Sequence, residues 1–257
     1  MSTDSTHRIW VLVKHNALIR WRDPGQIISY LVLPMAIMVM FKPLYQQALN
    51  RFAGDDQGAL QVVTGPLIMF SIFAMAVVGH SVFLERQWRT WDRLRTSAAS
   101  TGELLIGKTV PVFVILLAQQ LILLTFGCLI TGLSFPSSFA LVLLVLVIWA
   151  TVLIAIGTAL ATLIRSMAEL GMLTDIGSMV VAALGGALVP VSMMPGWLQL
   201  LAHFSPGYWG LEMLRAAFRG DAGAVVAPAA ILLAAGLAAG LFTVRRLARG
   251  WGRSALV

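Results

Sequence analysis

Ionisable side chains are scarce in this sequence, and a few of them interrupt long apolar runs. Asp175 lies inside one such run, Glu169 lies near the start of the same run, and His80 lies near the end of another. An ionisable group within an apolar helix costs on the order of several kcal/mol unless it is paired or hydrated. We therefore expect Asp175 either to face a polar cavity or a subunit contact, or to pair with Arg165 or another polar neighbour.

Residues 102–109 match the letters of a phosphate-binding loop, G-x-x-x-x-G-K-[ST]. That site requires a buried strand before a glycine-rich loop and a helix after it. Here the residues between the glycines include Leu104 and Ile106, and no strand pattern precedes them. We expect no nucleotide at this segment, and we expect Lys108 to anchor the start of an apolar helix at the membrane surface.

Other catalytic and metal-binding patterns are absent from the sequence. It contains no H-E-x-x-H, G-x-S-x-G or C-x-x-C motif, and its four histidines are scattered. The single cysteine, Cys128, lies in an apolar run, where packing is its expected role. The chain is therefore not expected to be an enzyme or to bind a metal or cofactor of its own.

The composition indicates an integral membrane protein. Of the 257 residues, 59% are hydrophobic and 11% are charged, and the mean hydropathy is +0.87, whereas a soluble domain has about 25% charged residues. A spanning helix needs about 20 mainly apolar residues, and six segments meet this requirement. We predict a single all-α membrane domain over residues 1–257, with spans at about 27–44, 62–84, 104–131, 139–164, 170–189 and 224–244.

The basic residues lie mainly on one side of the predicted bundle. Fourteen of the 18 lysines and arginines fall in the N-terminal segment, the loops after spans two and four, and the C-terminal tail. Loops rich in Lys and Arg tend to stay in the cytoplasm, so we predict a multi-pass protein of the cell membrane with both termini cytoplasmic. The net charge of +7 then reflects the membrane surface rather than nucleic acid.

Two segments outside the spans also favour helices. Residues 7–22 combine apolar and basic faces, which is typical of an amphipathic helix in the membrane interface, and Asp23-Pro24 would end it. Residues 190–221, between spans five and six, contain three prolines and are only half apolar. Short helices that re-enter the membrane would satisfy this backbone; an amphipathic surface loop is the alternative.

A charged loop of about two dozen residues follows span two. Within residues 85–104, Trp88, Trp91 and Leu94 recur at helical spacing, with arginines around them. This pattern predicts an amphipathic helix, which could lie on lipid or dock into a soluble partner.

The same loop resembles the loop after the second span in ABC-2 type transporter permeases, and most closely their actinobacterial daunorubicin-resistance branch. Residues 190–206, with Trp197 and Ser205-Pro206, are similar to the family's outer segment before its last span. The resemblance covers nearly the whole chain. This sequence departs from the family at two positions of the loop, since it has Arg89 where the family usually has glycine and Ala98 where the family often has proline. The loop letters that carry it are Glu85-Arg86, Thr90-Trp91-Asp92-Arg93-Leu94-Arg95 and Gly102-Glu103-Leu104-Leu105-Ile106-Gly107-Lys108.

The resemblance implies the permease subunit of an ATP-driven exporter of an amphiphilic drug, antibiotic or lipid-like compound. It implies two cytoplasmic ATPase subunits, which bind the ATP and Mg, and a second permease copy, identical or related. Alternating access would be coupled to the ATPases, and spans one, two and five would line the pathway. The coupling residues would be Glu85, Arg86, Trp88, Trp91, Asp92, Arg93, Leu94, Glu103 and Arg165, and the pathway or intramembrane polar residues Asp175, His80 and Glu169.

Other cargoes and another energy source remain open. An exporter of a polysaccharide, a lipid-linked glycan or sodium in the same family would carry the same features. A carrier driven by an ion gradient, with Asp175 as its proton site, would be favoured by inverted repeats, and the sequence has no such internal symmetry.

Overall fold

The computed structural model describes residues 3–22, 25–53, 57–87 and 100–248, and these residues are almost entirely helical. Asp23 and Pro24, at the predicted break, lie outside the described residues. The helices are α1 (Thr3–Arg22), α2 (Gly25–Ala53), α3 (Gln57–Gln87), α4 (Thr101–Thr131), α5 (Phe139–Leu163), α6 (Met167–Leu184), α7 (Gly196–Ala202), α8 (Pro206–Phe218) and α9 (Ala222–Ala248), with a short 3-10 turn at Val191–Met193.

Six of these helices are long and apolar enough to cross a membrane, which confirms the prediction of six spans. The helix for span five ends five residues before the predicted boundary, at Leu184. The backbone turns there, because Gly186 adopts a φ of 92°, a left-handed conformation that glycine reaches without strain. The apolar stretches are Ile28–Leu49, Gln57–Leu84, Gly102–Thr131, Phe139–Leu163, Met167–Leu184 and Ala222–Leu247.

α3 lies at the centre of the bundle. It contacts α2, α4, α5, α6 and α8, and most of its apolar stretch is buried. A helix that is hydrophobic on all sides must be shielded from water by lipid or by other helices, and neighbouring helices provide most of this shielding for α3, which has apolar residues around its whole circumference. α2 and α6 pack against α3, and their other faces are left exposed.

Glycines allow several helices to approach closely. A Cβ atom on Gly157 of α5 would lie 2.9 Å from the carbonyl oxygen of Met75 in α3. Gly236 of α9 likewise packs against α5, because a Cβ on it would lie 3.2 Å from the side chain of Val152. α5 and α9 are accordingly in extensive contact.

The start of α1 and the end of α9 lie at one end of the bundle, which we call the terminal end. Val82, Ala161 and Leu247 form one buried cluster with Leu105 packed against it. These residues come from the last turns of α3, α5 and α9 and from the start of α4. α1 lies against α4 at the same end.

The outer segment contains the two predicted short helices, α7 and α8. α8 packs against α3, α5 and α9, with Leu211, Met213 and Leu214 fully buried. A Cβ on Gly210 would lie 2.9 Å from the ring of Trp149 in α5. α8 is therefore part of the helical core, and its depth in the bilayer stays a prediction.

Candidate functional site

A reciprocal cap fixes the start of α4, where the predicted coupling loop ends. The backbone N–H of Glu103 donates to Oγ of Ser100 at 3.2 Å, and the backbone N–H of Ser100 donates to Oε2 of Glu103 at 2.7 Å. The first N–H groups of a helix have no partner within the helix, and this arrangement supplies partners at both ends of the first turn.

Glu103 also ties α1 to α4. Its Oε1 accepts a hydrogen bond from the Ser5 hydroxyl and lies 3.4 Å from Nη2 of Arg8. Glu103 is only 7% exposed. A Cβ on Gly107 would lie 2.5 Å from Cβ of Leu12, so the two helices are also in close contact one turn further on. The N-terminal helix is thus attached to the end of the predicted coupling loop.

Most of the predicted coupling segment is outside the part of the chain that the structure describes. Glu85 and Arg86 belong to the last turn of α3, and their side chains are not described. The amphipathic helix expected in this loop stays a prediction. Trp88, Trp91, Asp92, Arg93 and Leu94 all fall within residues 88–99, outside the described residues.

The turn between α5 and α6 lies at the terminal end and exposes Arg165. The backbone N–H of Arg165 donates to Oε2 of Glu169 at 3.0 Å, and the backbone N–H of Glu169 donates to Oγ of Ser166 at 3.1 Å. Glu169 is therefore engaged in capping α6, a role that the sequence analysis did not assign to it.

His80 is half-buried near the end of α3, and its ring is used within the helix. Its Nδ1 lies 2.8 Å from the carbonyl oxygen of Ala76. A carbonyl can only accept, so Nδ1 carries a proton in this arrangement. The imidazole thus has a local partner and does not need one from another span.

Asp175 lies on an exposed face of α6 that is otherwise largely apolar. Met172, Ile176 and Met179 are all more than half exposed on this helix. Among the described residues the Asp175 carboxylate has no hydrogen-bond or ion-pair partner, Arg165 included. A carboxylate on the surface of a span needs water or a partner from outside the subunit.

A buried polar cluster at the opposite end of the bundle was not predicted. Nε2 of Gln61 donates to the carbonyl oxygens of Gly186 and Ala187, both at 3.0 Å, and its Oε1 accepts a hydrogen bond from Arg215. Nη1 of Arg215 also lies 3.2 Å from Oε1 of Glu212. The cluster joins the start of α3, the turn after α6 and α8.

The spacing of two charged residues could have indicated part of this cluster from the sequence, whereas nothing in the sequence indicated the role of Gln61. Glu212 and Arg215 are three residues apart, a spacing at which side chains meet on a helix. Burial lowers the pKa of Arg215, yet guanidinium stays protonated in proteins, so a buried positive charge needs the acceptors seen here. Gln61 is uncharged, and its partner Arg215 lies 154 residues away in sequence.

The two lysines near span ends are held by backbone carbonyls. Lys108, expected at the membrane surface, is only 7% exposed because its Nζ reaches the carbonyl oxygen of Ser81 in α3 at 3.4 Å. Nζ of Lys42 donates to the carbonyl oxygen of Ile130 at 2.7 Å, near the C-terminus of α4, where the helix dipole favours a cation.

Residues 102–109, which match the phosphate-binding letters, are helical throughout. Their backbone N–H groups beyond the first turn are therefore turned along the helix rather than toward a common anion. In the described ranges no group of three or more His, Cys, Asp or Glu side chains could hold a metal ion.

Comparison with known proteins assigns the chain to a family. Residues 7–218 match the model of the ABC-2 type transporter family. The chain is 31% identical over 136 residues to the probable multidrug ABC transporter permease YbhR of Escherichia coli (strain K12), a match that covers 53% of this chain and 37% of that protein. It is 26% identical over 181 residues to the linearmycin resistance permease protein LnrN of Bacillus subtilis (strain 168), covering 67% of this chain and 47% of that protein. The aligned part of the chain thus covers less than half the length of either relative.

Proposed function

Because the chain belongs to the ABC-2 type transporter family, we propose that it is the membrane permease subunit of an ATP-driven exporter. The family match over residues 7–218 carries this proposal, and the six apolar helices agree with it. Two relatives are named as a multidrug permease and a linearmycin resistance permease. These names favour an amphiphilic drug or antibiotic as the cargo.

Two separate cytoplasmic ATPase subunits would drive transport through the loop at residues 85–104. The hydrogen-bonded cap at Ser100 and Glu103 supports this role, because a displacement of the loop would pass directly into α4. The contact of Glu103 with Ser5 and Arg8 would carry the same displacement into α1. The exposed turn at Arg165 would provide a second, smaller contact.

A second permease copy, identical or related, would complete the pathway. The exposed apolar faces of α2 and α6 support this proposal. Met40 on α2 is 73% exposed and Ile176 on α6 is 62% exposed. Asp175 would then lie at the subunit contact or in the pathway. α3, predicted from the family to line the pathway, offers little surface for it because it is buried between α2 and α6.

Co-purification tests this proposal. The full chain would be expressed with a candidate ABC ATPase, and the complex would be isolated through a tag on the permease. We expect the ATPase to co-purify and its hydrolysis to be stimulated by amphiphilic compounds that include linearmycin.

Two loop variants sharpen the test. Glu85→Ala and Arg93→Ala should abolish drug-stimulated hydrolysis while membrane insertion persists, because both residues lie in the proposed docking loop. Arg219→Ala, an exposed arginine at the opposite end of the bundle, is the matched control and should behave as the native chain. Unchanged co-purification and unchanged transport in both loop variants would refute the coupling role.

A further inference from the structure

An open groove with a volume of about 460 Å³ runs between α1 and α4. Its walls come from the second half of α1, from Leu31 of α2, and from α4 between Val110 and Ile122. Two of the lining side chains, Arg20 and Gln119, are polar, and the other lining residues are apolar or aromatic. The groove therefore has an almost entirely apolar wall with a cationic group on it.

The amide of Gln119 is already used by the protein. Its Nε2 donates to the carbonyl oxygen of Tyr30 at 3.1 Å. Pro34, four residues further along α2, has no N–H to offer that carbonyl, so Gln119 replaces the missing helical bond. The part of the groove around Gln119 consequently presents mainly apolar groups to any occupant.

Arg20 lies toward the end of the groove that is nearer the termini. One of its N–H groups donates to the carbonyl oxygen of Val77 at 3.3 Å, and Val77 packs in one cluster with Val112, near the start of the groove on α4. A guanidinium has five N–H donors and binds phosphate well. Arg22 follows as an exposed residue, and Trp21 between them is 84% exposed, as expected for a side chain at headgroup level.

The length of the groove fits one leaflet of a membrane. The 12 steps from Val110 to Ile122 correspond to about 18 Å at about 1.5 Å per residue of helix. One leaflet contributes about half of the roughly 30 Å hydrocarbon thickness, or about 15 Å. An apolar groove of this length with cations at one end matches a fatty acyl chain whose anionic headgroup lies at the membrane surface.

We propose that this groove is a binding site for one anionic phospholipid of the leaflet on the side of the terminal end. One acyl chain lies along α4 between Val110 and Ile122, and Arg20 binds the phosphate. The occupant would fill the space between α1 and the bundle and thereby support the position of α1. The site does not depend on the proposed transport activity.

Native mass spectrometry of the full chain provides the test. The protein would be reconstituted in nanodiscs of equal parts phosphatidylcholine and phosphatidylglycerol, and the lipids retained after release would be counted. The native chain should retain one lipid, phosphatidylglycerol about five times as often as phosphatidylcholine, the ratio that about 1 kcal/mol per basic residue at a membrane surface implies.

Two kinds of variant separate the acyl chain from the headgroup. Ala118→Trp, at an exposed lining position, should fill the groove and abolish retention, whereas Leu129→Trp, on the same helix outside the groove and 69% exposed, should not. Arg20→Gln can still donate to Val77 and should retain both lipids equally. Arg22→Gln, its exposed neighbour, should keep most of the preference.

Several results would overturn the proposal. Full retention in Ala118→Trp would show that the lipid binds elsewhere. An equal loss of preference in Arg22→Gln and Arg20→Gln would show only diffuse surface charge. Equal retention of both lipids by the native chain would show that the groove does not select an anionic headgroup. If Arg20→Gln does not elute as a folded protein, the comparison of Ala118→Trp with Leu129→Trp decides alone.

Discussion

Two buried glutamines in neighbouring spans should respond in opposite ways to the same substitution. Gln61 and Gln120 are 1% and 0% exposed. The amide of Gln61 has three hydrogen-bond partners, on Gly186, Ala187 and Arg215. The amide of Gln120 has no partner among the described residues. Replacing each by leucine keeps a side chain of similar size and removes only the amide.

The magnitudes follow from what each amide contacts. Side-chain hydrogen bonds between membrane helices average about 0.6 kcal/mol, so three give about 2 kcal/mol. Arg215 also loses an acceptor while keeping Glu212, and a charged group left short of a partner adds about 1.5–3 kcal/mol. Gln61→Leu should therefore lower the free energy of unfolding by about 3–5 kcal/mol. Gln120→Leu removes a desolvated amide without breaking a bond, so it should be neutral or stabilising.

Titration of the purified protein with SDS in mixed micelles, followed by circular dichroism, measures both variants against the native chain. Leu and Gln have similar helix propensities, so the difference between the two variants isolates the polar contacts. Equal destabilisation by Gln61→Leu and Gln120→Leu would refute the reasoning, because it would mean that burial alone, and not the cluster around Arg215, determines the effect.

Three further substitutions test other contacts. Gly185→Ala should lower the free energy of unfolding by about 1–3 kcal/mol in the same titration, because its Cβ would lie 2.6 Å from the backbone of Tyr208. Gly196→Ala is the control and should have no such effect, because the space around Gly196 is open. Equal effects of the two substitutions would contradict the close packing at Gly185. Glu103→Ala should lower the free energy of unfolding by about 1 kcal/mol because the cap is lost, and it should speed limited proteolysis within α1. An unchanged cleavage rate would contradict the proposed attachment of α1 to α4 through Glu103. Asp175→Asn should leave stability unchanged, and transport by this variant should still depend on ATP. If the native chain shows ion-driven uptake without an ATPase, and Asp175→Asn loses that uptake, the carrier mechanism would be favoured.

The positions of the spans could be predicted from the sequence because long apolar runs leave the chain few alternatives in a membrane. The cap at the start of α4 was also within reach, since Ser100 and Glu103 have the spacing of a capping box. The contacts between these helices could not be predicted from the sequence. Lys108 was expected at the surface because hydropathy does not reveal that α3 offers it the carbonyl of Ser81.

The cluster of Gln61 with Arg215 shows the same limit more clearly. It depends on where two segments 154 residues apart meet after folding, and no local pattern encodes that meeting. The groove beside α1 likewise arises only when α1 packs on α4, although the amphipathic pattern of residues 7–22 predicted the helix itself.

We propose that this chain exports its cargo only together with an ATPase. Inside-out membrane vesicles containing the full chain and its ATPase would be given a fluorescent amphiphile, and uptake into the vesicles would be followed after ATP is added. We predict uptake that requires ATP and both proteins and that stops when the phosphate-binding lysine of the ATPase is replaced. Uptake of equal rate in vesicles that lack the ATPase, or that contain the inactive one, would contradict the account.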